Sequence, residues 1–155
     1  MTFDTILLAV GPKDNDRAEA LAEAVIEVAK PTGANVVLAH VFTKKEFKNA
    51  ASRLDFNNEG NNADPNEVAR RHQTIRVMTK LLDDAGVDYD IRGEIGEHAE
   101  EIVDLAEFLD ADRVVVGGRT RSPTGKAVFG STAQEVMLSS PCPVTFVRGD
   151  EVSEE

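Results

Sequence analysis

The stretch VVVGGRTRSPTGKAVFGST, residues 114–132, decides how this chain folds. It opens as an unbroken β-branched run of strand length, crosses a loop rich in glycine and basic residues, and closes on a helix start. An apolar run without polar alternation marks a strand covered on both faces, the signature of a parallel sheet. Working outward, TILLAV (5–10), ANVVLAHV (34–41), DYDIRG (88–93), RVVVGG (113–118) and PVTFVR (143–148) make a set of five, DYDIRG being the weakest.

Helical periods fall between these runs. Ala18, Leu21, Ala22, Val25, Ile26 and Ala29 repeat at i, i+3, i+4, i+7, with Asp14 or Asp16 as N-cap and Gly33 as the C-terminal stop. Ile75, Met78, Leu82 and Ala85 give a second helix ended by Gly86, and Ala99, Ile102, Val103, Ala106 and Leu109 a third. Phe129, Ala133, Val136 and Met137 mark a fourth, halted before Pro141 and Pro143. Strands alternating with helices demand right-handed crossovers. The expected fold is α/β: a doubly wound, open, parallel five-stranded sheet of Rossmann-like type, strand order 3-2-1-4-5, with helices on both faces.

One domain over residues 1–148 and a frayed acidic tail, GDEVSEE (149–155), account for the length. Residues 43–66 are long for a connection in such a fold, and the Asn-rich part has no apolar period. They read as a long mobile loop, a solvated insertion rather than a lid. No apolar run reaches the length of a membrane span, and no basic segment precedes the first apolar run, so a soluble cytoplasmic protein is expected. The single cysteine, Cys142, excludes an internal disulfide.

Acidic residues number 28 against 17 basic ones, for a formal net charge of −11. Such a surface repels nucleic-acid backbones and anionic membranes, so neither is an expected partner. Its functional reading is adaptation to high salt, toward which the seven lysines and the absence of tryptophan tilt; an ordinary acidic cytoplasmic protein is the alternative.

Against that acidity, residues 113–134 contain no acidic side chain but carry Arg113, Arg119, Arg121 and Lys126. In a doubly wound sheet, ligands bind beyond the carboxyl ends of the strands where the winding reverses, here after Val10 and after Val116. A cationic loop opening onto a helix N-terminus suits an anion there. Gly117 and Gly130 allow close backbone approach, and Ser131 or Thr132 can cap the helix and donate a hydroxyl. A Walker phosphate loop and a G-x-G-x-x-G fingerprint are both absent. His40, His72 and His98 lack metal spacing, His40 reading as a satisfied strand histidine, and no catalytic constellation is visible.

ILLAV (6–10), ANVVLAHV (34–41), GEIGEHAEEIVDLAEFLDADRVVVGGR (93–119) and FGSTAQEVMLSSPCPVTFV (129–147) resemble the universal stress protein family, most specifically from Gly96 to Val147. The nucleotide-binding branch carries G-x2-G-x9-G-S/T, whose frame here gives Gly117, Thr120, Gly130 and Ser131. Thr120 stands where the second glycine belongs. The family's first strand ends in an aspartate, where this chain has Gly11, with Asp14 three residues late as a substitute. Val41 matches a position whose main chain contacts adenine. The resemblance implies a non-enzymatic stress module binding ATP or AMP through Val41, Gly117, Gly130, Ser131 and Thr132; charge and position, rather than the motif, add Arg119, Arg121 and Lys126 as groups facing the phosphates. It also implies a homodimer through the edge strand 143–148. A nucleotide-free dimeric interaction protein is the alternative, and a weak ATPase is the least favoured.

Overall fold

The computed structural model describes residues 3–11, 14–53, 64–118 and 130–148. Five strands, β1 (Thr5–Val10), β2 (Asn35–Phe42), β3 (Tyr89–Ile95), β4 (Arg113–Gly118) and β5 (Val144–Arg148), form one sheet in the order β3-β2-β1-β4-β5. Every neighbouring pair is parallel, with Thr5 opposite Asn35, Ile6 opposite Arg113 and Val114 opposite Val144. The expected strand order and class hold. Asp112 pins the register at the amino end, where its Oδ2 accepts from the Asp4 and Thr5 amides at 2.7 and 3.0 Å.

The pleat sends alternate residues to opposite faces, and each face has its own core. Ile6, Leu8, Val36 and Leu38 pack under α1 (Ala18–Thr32) and α4 (Gln73–Ala85). Leu7, Ala9, Val37 and Ala39 pack under α5 (His98–Leu109) and α6 (Ser131–Ser139). Ile6, Leu7, Leu8 and Leu38 are wholly buried, each stabilising the fold by about 1.5–3 kcal/mol relative to exposure. The stops at Gly33 and Gly86 hold: both are left-handed, with φ of 72° and 74°, and the Gly33 amide reaches the Ala29 carbonyl at 2.8 Å.

Two expectations fail. Residues 43–66 are not wholly a loop, because Lys44–Arg53 form helix α2 and Pro65–Arg70 form the short α3. Helix α2 starts on a reciprocal capping box: the Thr43 amide donates to Glu46 Oε1 at 2.9 Å, and the Glu46 amide to Thr43 Oγ1 at 3.1 Å. Its apolar stripe is only Phe47 and Ala51, too narrow to show as a period. The remainder, residues 54–63, lies outside the described residues. Nor does Asp14 or Asp16 cap α1: residues Asp14–Arg17 form a 3₁₀ turn, and Arg17 occupies the N-cap position with no side-chain cap.

The two sheet edges are treated differently. Helix α3 lies against β3, where Asn66 Oδ1 accepts the Gly93 amide at 2.7 Å. A Cβ on Gly93 would fall 2.0 Å from the Pro65 carbonyl oxygen, so only glycine admits this approach. Strand β5 ends the other side with its four apolar and hydroxyl positions half-buried.

Candidate functional site

Strands β1 and β4 are neighbours whose following helices cover opposite faces, so the chain parts at their carboxyl ends. A cavity of about 330 Å³ opens there. Its apolar wall comes from Ala9, Ala39, Val41, Ile102 and Val116, and its polar end from Gly11, Asp14, Arg17, Gly117, Gly130 and Ser131. Val10, His98, Thr132 and Ala133 complete it. An apolar slot with a few convergent polar groups is the usual form of a small-molecule site.

The structure therefore brings Val41, Gly117, Gly130, Ser131 and Thr132 to one cavity. Arg119, Arg121, Lys126 and Thr120 lie outside the described residues. Ser131 is not the helix cap: Gly130 takes that position with φ −63° and ψ 151°, and no side chain caps α6. Gly130 needs no left-handed backbone, and a Cβ on it would meet nothing within 4 Å among the described residues. Gly117 is different. Its Cβ would lie 2.8 Å from Arg17 Cδ, 3.2 Å from Leu21 Cδ2 and 3.3 Å from Asp14 Oδ1. Glycine at 117 is thus demanded by the protein's own packing.

Beyond the strand end, Asp14 turns back and its Oδ2 accepts the Gly11 amide at 2.6 Å, while its Oδ1 pairs with Arg17 Nη1. Asp14 thereby stands beside the corner where the strand itself supplies only glycine. The pair is nearly enclosed, with side chains 9% exposed for Arg17 and 6% for Asp14. Sequence reasoning did not single out Arg17. Its spacing from Asp14 signals a contact only once the intervening residues are known to form a helical turn.

His98, first residue of α5, also lines the cavity, with Nε2 2.8 Å from Glu46 Oε1 on α2. Burial alone would raise the Glu46 carboxyl, but the Thr43 amide and His98 outweigh it and hold the group below its ordinary value. Fifty-odd residues separate the partners, and no sequence period announces them. Behind the cavity, His40 Nδ1 lies 2.7 Å from the Val10 carbonyl oxygen, and its ring sits 4.2 Å from that of His72. Burial, then the neighbouring His72, lowers the His40 pKa to about 4. His72 is lowered too, by burial and then by Arg53, and its Nδ1 accepts from the Thr74 amide to cap α4. Among the described residues no group of three or more His, Cys, Asp or Glu could hold a metal ion, and no helix is long and apolar enough to cross a membrane.

Comparison with known proteins places this geometry among relatives. The family model of the Universal stress protein family matches residues 2–148. A universal stress protein of Mycolicibacterium smegmatis is 41% identical over 79 residues, covering 50% of this chain and 61% of that protein. A universal stress protein structure from Archaeoglobus fulgidus superposes with a TM-score of 0.71 at 28% identity, over 94% of this chain and 99% of that one. Another structure from Archaeoglobus fulgidus, in complex with dAMP, gives a TM-score of 0.66 at 22% identity, over 96% of this chain and 100% of its own. At that identity it speaks for the fold alone.

Proposed function

The chain belongs to the universal stress protein family, and on that premise we propose that its switch-point cavity binds an adenine nucleotide, ATP or AMP, making it a non-enzymatic, nucleotide-responsive stress module. The observation that carries this reading is the cavity itself: an apolar slot of about 330 Å³, ending in glycines and in the start of α6, which no described side chain caps. Val41 lines the slot, Gly117 and Gly130 bound the polar end, and Ser131 and Thr132 offer hydroxyls. Arg119, Arg121 and Lys126, which lie between Gly117 and Gly130 in the sequence, are proposed to add positive charge. The complex with dAMP formed by a protein of the same fold supports the choice of adenine.

The protein works in the cytoplasm as a homodimer that extends the sheet through β5, and its net charge of −11 suits a saline medium. Calorimetry with ATP and AMP at low and molar salt tests the site. Saturable binding lost in Ser131→Ala supports it, and no binding at either salt refutes it. One observation favours a nucleotide-free interaction module: among the described residues lining the cavity the one carboxylate, Asp14, is already engaged by Gly11 and Arg17.

A further inference from the structure

We infer that Arg17 reads a phosphate in this cavity, so that the site separates nucleotides from nucleosides by charge. The inference rests on the adenine-nucleotide reading above and names a residue outside the glycine motif. Its starting point is an unmet donor. Arg17 lines the cavity with its side chain 9% exposed, and its Nε is buried without a hydrogen-bond partner among the described residues. Buried polar groups in folded proteins are almost always partnered, and a cationic donor is the costliest to leave alone.

The guanidinium is also held in place. Its Nη1 is tied to Asp14 Oδ1, and Asp14 is tied in turn to the Gly11 amide through Oδ2. The missing side chain of Gly117 provides the space through which the Arg17 stem passes. Asp14 is therefore a positioning residue. With both its oxygens occupied, this corner offers donors and asks its ligand for an acceptor.

The surroundings point the same way. Among the described residues no side chain caps the first turn of α6, whose Gly130, Ser131, Thr132 and Ala133 line the cavity, so a positive dipole end faces it. An arginine fork beside such a helix start matches phosphate oxygens in geometry and charge. A ribose hydroxyl is a weaker acceptor for such a fork than a charged phosphate oxygen.

Calorimetry with AMP and adenosine as probes tests this. The wild type is expected to bind AMP at least about tenfold more tightly than adenosine, and Arg17→Met to weaken AMP by about ten- to a hundredfold while leaving adenosine within about twofold. Arg17→Lys keeps the charge but not the Nε donor, and should restore AMP only in part. A wild-type AMP-to-adenosine ratio in Arg17→Met, or full restoration by lysine, overturns the assignment. Equal wild-type affinity for both probes also overturns it while leaving the adenine site standing; binding of neither removes both. Arg17→Met strands a buried carboxylate, so Asp14→Asn/Arg17→Met, which removes both charges, is read alongside with the same expectations should the single variant fail to melt cooperatively.

Discussion

The side chain that Gly117 lacks is replaced by that of Arg17, whose Cδ stands 2.8 Å from where a Cβ would be. The motif's first glycine is thus bound up with the packing of α1 as much as with any ligand. A Cβ on Gly130 would meet none of the described residues within 4 Å.

Alanine substitutions should separate the two. Gly117→Ala forces Arg17, Leu21 or Asp14 to shift in a packed region and should destabilise the fold by about 1–3 kcal/mol, a drop in Tm of several degrees. Gly130→Ala should cost about 1 kcal/mol or less, the ordinary difference at an N-cap, yet weaken AMP binding, because Gly130 lines the cavity. Thermal melts and calorimetry on both variants check this; equal melting temperatures would refute the packing role of Gly117.

His40 should make stability fall with acid. Its pKa is lowered from 6.5 to about 4, so the unfolded chain binds more protons in that window. Stabilisation on the order of 3 kcal/mol is fully present above about pH 6.5 and is lost as pH falls toward 4. His72 acts with the same sign, since protonating its Nδ1 abolishes the cap on Thr74. His40→Gln keeps a donor near the Val10 carbonyl but does not titrate. Urea melts between pH 7 and 5 should show a shallower pH dependence for that variant than for the wild type.

His98 ties α5 to α2 at the cavity wall through Glu46, with both side chains partly exposed. His98→Ala should therefore lower stability by less than about 1 kcal/mol. Its effect on AMP should be larger than that loss implies, because the ring forms part of the cavity. Paired melts and titrations measure the two, and an unchanged AMP affinity would place His98 outside the contact.

Strand β5 should carry the dimer. Light scattering on the 16.8 kDa chain should give twice the monomer mass at micromolar concentration. A proline introduced at Thr145 or Phe146, whichever amide points away from β4, should return the mass to one chain.

The strands were legible because parallel strands covered on both sides leave uninterrupted apolar runs: TILLAV and RVVVGG match β1 and β4 to the residue. Helix α2 was hidden because two apolar positions make no period, although Thr43 and Glu46 already spell its capping box. Of the site, the glycines and Ser131 could be found from local spacing. Arg17 depended on an unforeseen 3₁₀ turn, and the contact of His98 with Glu46 on strands and helices converging from distant parts of the chain.

The sealing of β3 by α3 limits how this protein can assemble. Asn66 has taken the Gly93 amide, and the Pro65 carbonyl stands where a side chain on Gly93 would be. In the proposed dimer joined at β5, the margin each copy would present outward is the one that α3 covers at Gly93. A further strand would have to displace Asn66 there, which would hold such growth to a pair.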